Sequence, residues 1–195
     1  MKNKGLIAVL ALLMALCIGA GATLAYLMDK TEDVVNTFTY GDVNIDLYET
    51  DTNLDEDDDP NTNTYKMIPG ETIPKDPKVV VEAGSEACWL FVKITKSANF
   101  DDFMTYAPAS GWTPLAGVEG VYYRTVDAAT AESDKEYDVL AGNVVTVDSE
   151  VTKAQLNALD AGGASNYPTL TFTAYAVQQS DSIADATAAW RIANS

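Results

Sequence analysis

Between Asp51 and Asn63 an oxygen-bearing side chain stands at every second position: Asp51, Asn53, Asp55, Asp57, Asp59, Asn61 and Asn63. Carboxylate and amide oxygens from one short stretch are what a hard cation such as Ca²⁺ takes as ligands, so Asp51, Asn53, Asp55, Asp57 and Asp59 are the candidate metal ligands of the chain. The spacing departs from an EF-hand loop, which needs Gly at its sixth position and Glu at its twelfth; counted from Asp51, these are Glu56 and Thr62. Without a cation, residues 51–64 read as a solvated acidic loop, because no packed strand tolerates so many unpaired carboxylates. Ca²⁺ or another divalent cation is the ligand this stretch suggests, and no other cofactor is expected.

Other chemistry is scarce. The chain contains no His, which removes the commonest metal ligand and the commonest general base. A His-Glu-x-x-His zinc site and any Ser–His or Cys–His pair are excluded with it. A pair of carboxylates of the glycosidase kind stays open, since the sequence does not fix their separation; the expected class is not an enzyme. The two cysteines are Cys17 and Cys88. Cys17 lies in an apolar leader, so the mature chain can form no internal disulfide, and Cys88 reads as a small buried apolar residue or, alternatively, as half of an intermolecular disulfide. A net charge of −17 repels nucleic acid and anionic lipid, so neither is an expected partner.

Positioning elements begin at the amino terminus. Lys2 and Lys4 precede an apolar run that starts at Leu6 and ends among Ala20, Ala22, Thr23 and Ala25. A positive end, an apolar middle and small residues at the far end make residues 1–25 a secretory signal peptide. Thr23 and Ala25 occupy the third and first positions before a cut ahead of Tyr26, and Ala20 and Ala22 offer an earlier one. Retention as a membrane span is the alternative, since about twenty apolar residues cross a bilayer. The expected product is secreted, to an extracellular matrix or the cell surface. Signal peptidase is its partner during export, and membrane contact is confined to the uncleaved precursor. A segment of residues 26–38 follows, then one domain over residues 39–195.

Within that domain Val43, Ile45 and Leu47 alternate with Asn44 and Asp46, a strand with one wet face. Residues 65–68 read as a short strand, Pro69-Gly70 as a turn, and Pro74 and Pro77 as edge residues. Residues 79–81 read as a strand. Residues 87–95 form the most strand-like window, with Cys88, Leu90, Val92 and Ile94 on one face and Trp89, Phe91 and Lys93 on the other, and are expected to be central. A helical turn at 99–104 and a strand at 121–126 follow. Residues 137–140 and 144–147 flank Ala-Gly-Asn as a predicted hairpin. Thr152 and Gln155 form a capping box opening a helix that points Leu156 and Leu159 inward and stops at Gly162-Gly163. Residues 169–178 are a strand expected to be covered on both faces, and residues 181–192 are helical, with Ile183, Ala186 and Trp190 on one side. Many short strands with few helices predict an all-β, antiparallel β-sandwich with short helical inserts and a C-terminal helix.

The order of a small-residue cut site, Ala25-Tyr26-Leu27-Met28-Asp29-Lys30-Thr31-Glu32, then Asn36-Thr37-Phe38-Thr39-Tyr40-Gly41, then Val43-Asn44-Ile45-Asp46-Leu47, resembles the start of the TasA/camelysin family. These are Gram-positive surface and biofilm-matrix proteins whose export is tied to a dedicated signal peptidase. Ile68-Pro69-Gly70-Glu71-Thr72-Ile73-Pro74-Lys75-Asp76-Pro77 with Val79 to Val81 is similar to a second block of that family, and from about Phe100 onward the chain carries no resemblance. The resemblance implies a jelly-roll-like sandwich and a homopolymeric fibre built by strand donation. Tyr26, Leu27, Val34, Val35 and Phe38 are then the donor side chains, and the partner is a second copy of the chain. Two alternatives remain: residues 26–38 fold back as the protein's own first strand, or the protein is a monomeric adhesin or binding module. The peptidase label attached to camelysin has no zinc site to rest on here.

Overall fold

A computed structural model of the chain describes residues 42–49, 64–130 and 132–195. The predicted signal peptide, the cleavage residues Thr23, Ala25 and Tyr26, the donor residues of 26–38 and the candidate ligands Asp51 to Asp59 all lie outside the described residues.

The described part is all-β and antiparallel. Its strands are β1 (Ile45–Tyr48), β2 (Thr72–Pro74), β3 (Lys78–Val81), β4 (Cys88–Lys96), β5 (Met104–Thr105), β6 (Thr113–Pro114), β7 (Val121–Val126), β8 (Lys135–Asp138), β9 (Val144–Val147) and β10 (Leu170–Gln178), with helices α1 (Lys153–Gly162) and α2 (Ala186–Ala193). They form a three-stranded sheet β1-β3-β8, a four-stranded sheet β10-β4-β7-β6 and a small sheet β2-β9-β5. The architecture is sandwich-like, because alternate residues of facing strands meet in one core. Val79 and Val81 of β3, Cys88, Leu90, Val92 and Ile94 of β4, and Val145 and Val147 of β9 are all buried in it.

β4 is central, as its composition predicts. It pairs with β10 on one side and β7 on the other, and its second face, through Phe91, enters a separate cluster with Leu115, Val121 and α2. Asp185 caps α2 by accepting from the Ala188 N–H at 2.8 Å. Ala186, Ala189 and Trp190 of α2 are buried, with the Trp190 ring 5.3 Å from Phe91 and 5.1 Å from Tyr175. The C-terminal helix is therefore docked on the outer face of β4 and β10. Both faces of β10 are covered only in its second half, where Tyr175 and Val177 meet this cluster; Thr171 and Thr173 of its first half are exposed.

Two local expectations are corrected. Residues 65–68 form no strand; they pack Tyr65 and Met67 against the core as irregular chain. The hairpin over residues 137–147 does not form either, although a turn stands where Ala-Gly-Asn predicts one, with Gly142 at φ 65° and Asn143 at φ 55°. That turn carries the chain from one sheet to another: β8 pairs with β3, whereas β9 pairs with β2 and β5. Leu140, buried, bridges to Pro108 instead of to β9. Helix α1 begins as expected, with Thr152 Oγ1 accepting from the Gln155 N–H at 3.3 Å and the Gln155 side chain accepting from the Thr152 N–H at 2.8 Å.

Candidate functional site

A sandwich must close its core at two pairs of edges, and this one closes them differently. Where β8 and β7 face each other, the Arg124 guanidinium carbon lies 3.9 Å from the centre of the Tyr137 ring and 5.5 Å from that of Trp112. The Trp112 indole Nε1 donates to the Asp138 carbonyl at 2.8 Å, so side chains of one sheet cover the core against the other. Desolvation among these groups raises the Tyr137 phenol pKa above its ordinary value, and the neighbouring guanidinium opposes that rise.

The edges β1 and β10 also approach one another, but there the core opens into a cleft of about 1200 Å³. Ile73, Phe100, Met104, Val145, Leu156 and Leu159 reach its floor. Residues 46–49 and 64–68 form one wall, and residues 167–172 of the β10 entrance form the other. Leu47, Tyr65, Met67, Leu170 and Phe172 are each packed against the core yet only part-buried. Exposed large apolar side chains are few among the described residues, and three of them stand at this cleft: Tyr48, Ile68 and Tyr167, at 41%, 50% and 41% exposure. The Tyr167 phenol is fixed by donating to Asp160 Oδ1 at 2.7 Å, a bond that raises its pKa.

One charged pair lies in this apolar setting. Lys75 Nζ meets Glu49 Oε2 at 2.5 Å, and the two side chains are only 13% and 14% exposed. Glu49 Oε1 also accepts from the Tyr65 hydroxyl at 3.0 Å, and the Lys75 ammonium lies 5.2 Å from the centre of the Tyr65 ring and 5.7 Å from that of Phe172. The pair ties the end of β1 to the end of β2 and leaves the cleft without a lone buried charge.

Backbone polarity is the remaining feature. In an antiparallel pair, residues alternate between bonding the partner strand and pointing their N–H and C=O the other way. The Ser97 N–H donates to the Thr169 carbonyl at 3.0 Å and the Gln179 N–H to the Ala87 carbonyl at 2.8 Å, which places the odd-numbered residues of β10 on β4. The main-chain groups of Leu170 and Phe172 therefore face the cleft, and no described residue meets them there. None of this is visible in residue types, because it depends on which strand β10 pairs with.

Among the described residues no group of three or more His, Cys, Asp or Glu side chains is placed to hold a metal ion. Cys88 is buried, and desolvation pushes its thiol pKa up to about 11. No described helix is long and apolar enough to cross a membrane. Comparison with protein-family models, curated proteins and solved structures returned no match.

Proposed function

We propose that this chain is a secreted structural protein, the subunit of an extracellular fibre in which each copy lends residues 26–38 as a strand to the next. The observation that carries this reading is the edge beside the cleft: an apolar cleft that faces main chain on β10 met by no described residue. An edge strand with unpaired N–H and C=O groups templates addition of another strand, main-chain bonds supplying affinity and alternate side chains supplying register. Residues 26–38 provide the matching chemistry, with Tyr26, Leu27, Val34, Val35 and Phe38 as apolar anchors among polar neighbours. A contact repeated head to tail does not close on itself and yields a filament. Removal of the leader by signal peptidase is what frees this segment, and a jelly-roll order of strands belongs to the same reading. The residues themselves offer little toward catalysis, for want of any His.

The test uses purified chain beginning at Tyr26. It is expected to elongate into filaments on electron microscopy grids, while the chain lacking residues 26–38 stays monomeric. Mature protein that light scattering finds monomeric at high concentration would overturn the fibre reading in favour of a monomeric adhesin.

A further inference from the structure

Two edges border the cleft, β1 and β10, each without a strand partner on that side among the described residues, and they differ. In β1, the Glu82 N–H donates to the Asn44 carbonyl at 3.0 Å, so the even-numbered residues bond β3 and Ile45 and Leu47 point their main chain outward. The outward N–H of Leu47 is already taken: it donates to Asp46 Oδ1 at 2.8 Å, and just before the strand the Val43 N–H donates to Asp42 Oδ1 at 2.9 Å. A carboxylate folded onto its own edge both occupies the donor and places a negative charge where an incoming carbonyl would have to come, which is how edge strands are kept from pairing. On β10 the groups of Leu170 and Phe172 meet no such cap among the described residues, and the neighbouring outward side chains are the uncharged Thr171 and Thr173.

We infer that β10 is the edge to which the strand of a second copy is added, through the main chain of Leu170 and Phe172, and that Asp46 closes β1 to it. The inference rests on the fibre reading above and adds the acceptor to it. The added strand extends the sheet β10-β4-β7-β6 and sets its alternate side chains on the cleft floor beside Leu170 and Phe172. Thr171 bonds β4, so it faces an added antiparallel strand at a non-hydrogen-bonded position, the closer of the two cross-strand spacings. Asp46 holds the equivalent position on the free edge of β1.

This equivalence makes disulfide trapping a fair comparison. Mature chain starting at Tyr26 is prepared with one added cysteine, either at an acceptor edge (Thr171→Cys or Asp46→Cys) or in turn at each position from Val34 to Phe38. Donor and acceptor variants are mixed, allowed to assemble and oxidised, with buried Cys88 left in place. The expected result is intermolecular disulfide between Thr171→Cys and alternate donor positions, and none with Asp46→Cys. Cross-links confined to Asp46→Cys, or polymers with no cross-link at either edge, overturn the assignment and leave the fibre reading intact. In a chain carrying both Thr171→Cys and a donor cysteine, a disulfide closed within one molecule upholds β10 as the acceptor and overturns donation between copies. Wild-type mature chain that forms no polymer overturns the fibre reading and this inference with it.

Discussion

Truncating Phe172 to Ala separates what the cleft contributes to the folded subunit from what it contributes to assembly. The Phe172 ring is part-buried against the core, and the Lys75 ammonium stands 5.7 Å from its centre. Full burial of a phenylalanine is worth about 1.5–3 kcal/mol, and the isolated subunit realises roughly two thirds of it or more. With about 0.5–1 kcal/mol for the lost cation–π contact, Phe172→Ala should destabilise the monomer by about 1.5–3 kcal/mol. The remainder is realised only when a strand covers the cleft, so association should weaken by a further ~0.5–1 kcal/mol, about a two- to fivefold rise in critical concentration. Urea unfolding of the chain lacking residues 26–38 reads the first quantity, and sedimentation of polymer across a concentration series of the mature chain reads the second. An unchanged critical concentration beside the expected loss of stability would show that nothing docks over Phe172, and would refute the use of this cleft.

Further expectations follow from single contacts. Glu49→Gln should cost about 3 kcal/mol in urea unfolding, because it leaves the Lys75 ammonium nearly buried without its carboxylate; a double variant with Lys75→Met should recover most of that, since a buried pair replaced by uncharged groups is close to neutral. Thr152→Ala should cost about 1 kcal/mol by the same measurement through loss of the α1 cap. Burial pushes the Cys88 thiol from 9.0 to about 11 and the Tyr106 phenol from 10.0 to about 12. Both groups fold with raised values, so the stability they contribute is complete below pH 9 and drains away as pH climbs toward 12; a urea midpoint that stays level across that range would contradict it. Polymerisation of subunits each carrying a formal charge of −17 or more negative should speed up with added NaCl, as screening weakens their repulsion; turbidity kinetics that slow from low to physiological salt would contradict it.

How far the chain can be read from its residues depends on how local each feature is. The alternation through Val43, Ile45 and Leu47 and that of residues 87–95 are written in a period of two, and strands stand there over Ile45–Tyr48 and Cys88–Lys96, with Val43 just ahead of the first. The Thr152–Gln155 box closes over three residues and is found as expected. The side of α2 that carries Ala186 and Trp190 is buried as its pattern predicts, but the helix spans Ala186–Ala193 and not residues 181–192, so Ile183 lies ahead of it. Residues 65–68 and the turn at 141–143 mislead for one reason. Their local signals fit a strand and a hairpin, but long-range neighbours decide the pairing, and β9 finds its partners in β2 and β5.

Residue types alone remove the His-based sites, the His-Glu-x-x-His zinc motif and the Ser–His and Cys–His pairs, and they set the sign of the net charge, −17. They also settle that the chain is built of short antiparallel strands. The tertiary structure alone decides where the core stays open. Whether the N–H of Leu170 faces a neighbour or a cleft, and whether that of Leu47 meets its own strand's carboxylate, depends on the strand each pairs with. Those pairings join residues up to 90 positions apart, as Cys88 and Gln178 are, a separation across which sequence periodicity carries no information about direction.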